Sequence, residues 1–400
     1  MHHEEEPSPE SLSATSESRE TETTLRARLI ARDFELVDRT MSSQELRFSH
    51  IVESLKQSNL LEHEVERVKG IFLEELDDFG QELKPDVWKM LTVMELFDPE
   101  TARHCVDTYH IAKHKVEDRL FNGMVLINSF KEEGVSPDAF FTSCLLHDIG
   151  KIELPYVVVG NNVSDSECAE LLVHNTDTVL VPALQTYLHD QVYRLPDTID
   201  SGHSLLTYLY DELHIRPKEI TPIRLLLGEM SPEKEAEITA QLLHCGCTLD
   251  DTLLHIMHTH AQYSRQILTL AGRPIEAVLA GAHHVNKGRT YTITVGTIQV
   301  SVDLADIIHL ADTEQAMTSA RHYKSKNTSL QALKMLALHA KQGAVDAYIS
   351  YLWIADTLIK KGQETHLDSS EQETYTFIAD FLDKMKREHL DYPAWRTMAR

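Results

Sequence analysis

Imidazole and carboxylate groups able to share a metal ion stand at four points of the chain. His147-Asp148 follows the apolar Leu145 and Leu146 and precedes Ile149-Gly150-Lys151. Lys151 lies four residues after His147 and three after Asp148, so the three can share one helical face. Imidazole and carboxylate suit iron, manganese or zinc. A carboxylate has two oxygens, so Asp148 can bridge two metals. A surface dipeptide with a capping Asp is the alternative, and the two leucines argue against it.

His260 clusters with Leu253, Met257, Ser264, Ile267 and Leu268 on a wheel of about 100° per residue, so it points inward. His255 and His258 fall on the opposite face and are expected to meet solvent. Taken alone, an inward histidine is more often a satisfied core residue than a ligand. His283-His284 follows the short apolar run VLAGA. Two adjacent imidazoles near a core cannot both easily be charged, and metal ligation would explain them. Asp312 shares a face with Ala305, Ile308, Ala316 and Ser319. An inward carboxylate needs a cation or strong hydrogen bonds. None of the four is decisive; together they supply inward nitrogen and oxygen donors from several helices, as a dinuclear site requires.

Helices must position these groups. Asp98-Pro99-Glu100 signals a helix start, with Asp suited to the N-cap and Pro to the first position. That helix is expected to reach about Lys131, before Glu133-Gly134. FFTSCLLHDIGKIELP is expected to be an apolar helix ending near Pro155. One helix is expected from about Leu249 to Ala271, and another over Ala305 to Ala320. Tyr291, Ile293 and Val295 alternate with polar residues, as do Ile298, Val300 and Val302 after Gly296, which predicts a β-hairpin. Ile51, Leu55, Val65, Val68, Phe72 and Leu76 recur at helical spacing. The expected fold is all-α with one short hairpin.

The chain has 400 residues, 38 basic and 63 acidic, for a net charge of −25. That balance argues against a general nucleic-acid surface. A small anionic substrate remains open if a metal supplies positive charge. No apolar run is long enough for a membrane helix, and the N-terminus MHHEEEPSPE lacks a signal-peptide core. Five cysteines without CxxC spacing suggest reduced thiols in a cytosol. Cys245 and Cys247 with His244 lack the second pair a zinc ribbon needs. Trp353 and Trp395 are expected in the core of C-terminal helices. The expected organisation is a disordered acidic tail over 1–24, a helical region over 25–97, a central domain over 98–340 with a helical insert at about 156–245, and C-terminal helices over 341–400.

The order of these motifs resembles the HD superfamily of metal-dependent phosphohydrolases, and more narrowly the HD-GYP cyclic di-GMP phosphodiesterases. PETARHC with His104, LLHDIGKIELP, HAQYSRQIL, HHVNKGRTYT and IIHLADTEQAMTSARHYK carry the resemblance, over roughly residues 98–335. It implies an HD-type helical bundle and two divalent transition metals, iron or manganese favoured. His147 and Asp148 would ligate, with Asp148 bridging. His104 and Asp312 would complete one metal; His260, His283 and His284 would hold the other. Glu100, four residues before His104, would hold a third metal. Lys151, Arg321 and Lys324 would contact phosphate, with Tyr291 in the substrate loop. The implied reaction is hydrolysis of a cyclic dinucleotide, cyclic di-GMP first, by a metal-bridging hydroxide, with Asp148 and Lys151 as the catalytic pair.

The chain departs from the family in three places. The family's loop HHExxDGxGYP reads HHVNKGRTYTI here, which bears on the substrate more than on the metals. His260 follows Asp148 by 260 − 148 = 112 residues, a longer gap than usual, hence the insert, a candidate lid or regulatory element. His110 and His114 share a helix with His104, so the first ligand is one of three. Two alternatives follow: an HD hydrolase acting on another nucleotide or phosphoester, and a non-catalytic metal- or ligand-binding signalling module. Protein partners or a dimer would use the N-terminal or inserted helices. The chain has 23 histidines, and the 23 − 5 = 18 outside His104, His147, His260, His283 and His284 show no shared spacing.

Overall fold

Helix starts coincide with the Asp-Pro and Ser-Pro pairs. Asp98 accepts the Glu100 amide at 3.1 Å and the Thr101 hydroxyl at 2.6 Å, and the helix runs Pro99–Glu117. Ser136 accepts the Ala139 amide at 3.1 Å and starts Pro137–Leu146. These caps satisfy amides that have no partner within the helix. The computed structural model describes residues 46–117, 135–159, 163–213, 215–284, 292–295, 298–301, 303–319, 328–341, 343–361 and 367–388. The expected continuation of the Pro99 helix to Lys131 lies outside them.

The chain divides into two compact units, residues 1–67 and 68–400. In the first, the described residues form Arg47–Gln57 and the opening of Leu61–Phe72, where Arg67 pairs with Glu64 at 2.8 Å. The second holds all the described candidate ligands. The fold is predominantly helical. Thr292–Val295 and Ile298–Ser301 form the expected hairpin, antiparallel, with Val295 opposite Ile298. Tyr291, Gly296 and Val302 lie outside the described residues. Among the described residues no helix is long and apolar enough to cross a membrane.

A ring of elements surrounds the candidate ligands. The Pro99 helix packs against Pro137–Leu146 and against Asp303–Thr318. The Pro137 helix packs on Pro274–Ala282, which packs on His260–Leu270, which in turn packs on the 3-10 turn Ile149–Glu153. The ring closes because its inner faces are apolar: Cys105, Tyr109, Leu145, Leu146, Ile149, Ile308 and Leu310 are fully buried. Each such large side chain contributes about 1.5–3 kcal/mol by leaving water.

Two apolar clusters lie in residues 156–256. Leu172, Leu180, Leu184, Leu205, Leu209 and Ile215 form the first. Val158, Ile223, Ile238 and Leu242 join Leu253 and Ile256 in the second, which therefore reaches the helix leading to His260. At the other side, Ser329–Lys341 and Ala347–Lys361 pack on the Asp303 helix. Trp353 is fully buried, as expected, and its indole donates to Glu314 at 2.7 Å. The buried Lys115 ammonium donates to the Trp353 carbonyl at 3.3 Å and pairs with Asp356 at 2.7 Å, tying the Pro99 helix to the Ala347 helix. Trp395 lies outside the described residues.

Candidate metal centre

The expected helix through HDIGK stops at Leu146. His147 is its C-cap and Asp148 has φ −98° and ψ 4°, in the sparsely used bridge region where many functional residues sit. The chain then tightens into the 3-10 turn. On a continuing α-helix, His147 and Asp148 would diverge by about 100°; the turn brings both toward one point. Gly150 lets this turn rest on the His260 helix. Its amide donates to the Ser264 hydroxyl at 2.9 Å, and that hydroxyl donates to the His147 carbonyl at 2.6 Å.

The helix expected over Leu249–Ala271 is likewise two, Leu253–His258 and His260–Leu270. At Thr259 both the amide (3.1 Å) and the hydroxyl (2.7 Å) donate to the Ile256 carbonyl, which tightens the turn and shifts the helical phase. His258 is the last residue of the first helix, Leu253–His258. Much of that residue meets solvent, as expected, but its ring stacks on His284 with centroids 4.5 Å apart.

Three imidazoles are aimed by their own backbone. Nδ1 of His147 donates to the Cys144 carbonyl at 2.8 Å, Nδ1 of His260 to Met257, and Nδ1 of His283 to Ala280. Each acceptor lies three residues earlier. A carbonyl can only accept, so each Nδ1 carries the hydrogen and each neutral ring presents Nε2 as a lone pair. His104 is aimed differently: its Nδ1 meets the side-chain oxygen of Gln315. The Gln315 amide nitrogen donates to Asp107 at 3.1 Å and Ser319 at 2.8 Å, which orients its oxygen toward His104.

The Nε2 atoms converge on the two oxygens of Asp148. Oδ1 lies 2.8 Å from His260 Nε2, which is 3.2 Å from His283 Nε2. Oδ2 lies 3.4 Å from His104 Nε2, 3.6 Å from His147 Nε2 and 2.6 Å from the Lys151 ammonium. Asp312 Oδ1 lies 2.9 Å from His104 and 3.9 Å from His147. Three overlapping sets could hold a metal ion: His260, His283 and His284; His104, His147 and Asp148; His147, His283 and Asp312. The buried Nε2 of His147 has no hydrogen-bond partner, so a ligand role fits it.

Electrostatics favour the metal-binding protonation states. Burial pushes the pKa of His147 down, and those of His283 and His284 well below the ordinary imidazole value, with neighbouring imidazoles adding to the shift in all three. Burial would raise Asp148, but Lys151, His147 and His260 outweigh it and hold the carboxyl well below its usual range. Asp312 is held down against burial by His104 and His147. At neutral pH His147, His283 and His284 are thus neutral and the two carboxylates charged.

A pH dependence follows. Unfolded histidines protonate near pH 6.5, whereas His147, His283 and His284 in the fold do so lower, so the folded state binds fewer protons below that point. Stability of the metal-free protein should be complete above about pH 6.5 and fall as pH drops below it, with a second fall below about pH 3.9 as the carboxylates protonate in the unfolded chain. Chemical denaturation at pH 7.5 and 5.5 measures this; equal stability at both would contradict neutral buried imidazoles.

Of the other expected residues, Lys151 joins Asp148 as described. His284 joins His260 and His283. Glu100 is exposed, outside the converging groups. His110 is partly buried beside the Tyr109 ring and His114 is exposed, whereas His104 is buried and reaches both aspartates. Arg321, Lys324 and Tyr291 lie outside the described residues. Gln315 and the Ser264 hydroxyl clasp were not anticipated as positioning groups. The available signal was spacing: Gln315 follows Asp312 by one helical turn, and Ser264 follows His260 likewise. Gln315→Leu should weaken metal binding about 10- to 100-fold, while Gln315→Glu, which keeps an acceptor, retains most of it. Chelator competition reads both; equal affinity for wild type and Gln315→Leu would remove Gln315 from that role.

Comparison with known proteins gives no family model, no curated protein and no solved structure that matches the chain.

Proposed function

We propose that the chain is a metal-dependent phosphohydrolase of the HD type, acting on a cyclic dinucleotide, with cyclic di-GMP the first substrate to test. One observation carries this. Imidazoles whose Nδ1 is held by a backbone or side-chain carbonyl oxygen, and two carboxylates, all presenting lone pairs, meet at 2.8–3.9 Å around Asp148. Acceptors facing acceptors in a buried space call for cations between them.

His104, His147, Asp148 and Asp312 would hold one divalent ion, and Asp148, His260, His283 and His284 the other. Mixed imidazole and carboxylate ligation suits iron or manganese. A dinuclear pair supplies Lewis acidity toward a phosphoryl oxygen and lowers the pKa of water when bound. The chain's own residues orient and balance charge. Asp148 holds the two halves in register. The Lys151 ammonium, 15% exposed at its side chain, stands beside Asp148 where charge on phosphoryl oxygens would build. Arg321, Lys324 and Tyr291 are the proposed substrate contacts, by their resemblance to the family's motifs, and Glu100 is the proposed ligand of a third metal. Residues 98–340 would form the catalytic domain, with the segment at about 156–245 as its lid or regulatory insert. We place the chain in the cytoplasm.

The loop HHVNKGRTYTI favours a second reading, an HD hydrolase with another nucleotide or phosphoester substrate. Metal analysis with turnover of cyclic di-GMP separates them. Bound metal with cyclic di-GMP cleavage supports the first reading. Bound metal with cleavage of a different phosphoester supports the second. Metal without any hydrolysis would leave a binding module, and no bound metal would overturn both hydrolase readings.

A further inference from the structure

Of the imidazoles at the centre, His284 has no hydrogen bond that aims its ring among the described residues. His147, His260 and His283 each donate Nδ1–H to a carbonyl three residues earlier, and Gln315 holds His104. The His284 ring lies instead between other rings. His258 stacks on it at 4.5 Å, and His309 meets it edge-on at 5.7 Å with the planes at 86°. Ring contacts do not choose which nitrogen faces the centre, so the direction of His284 must come from the backbone that carries it.

His309 holds that backbone. It is buried on the helix Asp303–Thr318, and its Nδ1 donates to the His283 carbonyl at 2.7 Å. His283 follows the last turn of Pro274–Ala282, where carbonyls lack an amide partner within the helix. The His283 carbonyl and the His284 amide belong to one rigid peptide plane. Holding the carbonyl therefore fixes the plane from which the His284 side chain departs. A carbonyl only accepts, so His309 carries its hydrogen on Nδ1, and the neutral ring keeps a lone pair on Nε2. That Nε2 lies 3.1 Å from Nδ1 of His339, on the helix Ser329–Lys341. An ordinary hydrogen bond from His339 to His309 then holds His309 in its donor form. His309 also stands three residues before Asp312, on the same helical face. Asp312 meets His104 at 2.9 Å while His309 serves the His283-His284 turn, so one helix sets the two ends of the centre relative to each other.

We propose that His309 is a positioning residue for the His283-His284 pair, acting through the His283 carbonyl, with His339 holding it in the donor tautomer. The proposal rests on the reading of His283 and His284 as metal ligands and not on what the centre hydrolyses.

Full-length wild type, His309→Asn and His309→Phe test this, with zinc as the probe. Asparagine places an N–H donor where the Nδ1–H of histidine stands; phenylalanine keeps a ring and has no donor. In chelator competition His309→Phe should hold one zinc at least about tenfold more weakly than wild type, and His309→Asn should recover most of that loss. A space-filling role would reverse the order of the two variants. That reversal, or equal zinc binding in wild type and His309→Phe, overturns the proposal. In the metal-free chain, nitrogen-15 spectra of labelled histidine should show His309 with its hydrogen on Nδ1. The His284 ring should give one set of resonances in wild type and His309→Asn, and exchange-broadened ones in His309→Phe. Hydrogen on Nε2 of His309 overturns the proposal. These spectra need no metal, so the two failures separate: wild type that binds no zinc but gives the expected spectra overturns the metal reading and supports His309 as the group that positions the pair. Should His309→Phe fail to fold, His339→Ala, at a partly exposed position, decides. His309 should then lose its single tautomer, and one zinc should bind about two- to tenfold more weakly, the worth of one neutral hydrogen bond. Unchanged tautomer and affinity overturn the proposal.

Discussion

Asp148→Asn should strip metal from both halves of the centre at once. The carboxylate touches both: Oδ1 faces His260, while Oδ2 faces His104, His147 and Lys151. An amide of the same shape keeps one oxygen but turns an N–H₂ donor toward one of the two sides, and it removes the charge that offsets two cations. Loss of an outer partner alone costs about 10- to 100-fold in metal affinity, so removing the bridge should exceed that in both halves. Metal content after chelator challenge reads the loss, and any metal-dependent turnover should vanish with it. His104→Ala is the contrast, because it touches only the Oδ2 side. A purified Asp148→Asn protein that retains two tightly held metals would rule out a bridge.

The second large effect is mechanical. At Gly150 a Cβ would lie 2.0 Å from the His260 carbonyl oxygen, 2.4 Å from the Ser264 amide nitrogen and 2.9 Å from the Ser264 hydroxyl. The nearest two are backbone atoms and cannot rotate away, so the turn must lift off the His260 helix. Overpacking costs about 1–3 kcal/mol and sometimes more, and a backbone obstacle places Gly150→Ala at the upper end. The lift would also open the 2.8 Å contact between Asp148 and His260 and break the Ser264 clasp. Urea unfolding should show the loss, accompanied by weaker metal binding. At Gly70, in Leu61–Phe72, nothing lies within 4 Å of an added Cβ, so Gly70→Ala should stabilise by up to about 1 kcal/mol through helix propensity. Similar behaviour of the two variants would mean that the turn does not rest on the helix.

Helix starts were legible because their signals are local. Asp98-Pro99 and Ser136-Pro137 set caps that no distant contact alters. The hairpin was legible from alternation in two short runs. Inward placement of His260 and Asp312 was legible for the same reason, since a wheel needs only spacing. The turns at Asp148 and Thr259 were not. Each depends on where the chain rests against another helix or on a side chain competing for a carbonyl, and neither leaves a periodic trace. His258 against His284, and His309 against His339, are contacts between segments far apart in sequence, which a single helical wheel cannot report.

The carbonyls that aim His147 and His283 are the closing carbonyls of the helices Pro137–Leu146 and Pro274–Ala282. A helix carries about half a negative charge at that end. Two such ends thus point at a space that already holds two carboxylates against one ammonium. An anion arriving there first meets a repelling potential; an anion arriving after divalent ions meets an attracting one. Loading should therefore be ordered, cations before any phosphate-bearing ligand. By linkage, the anion's affinity should climb steeply with free metal, and the anion in turn should slow the metals' release.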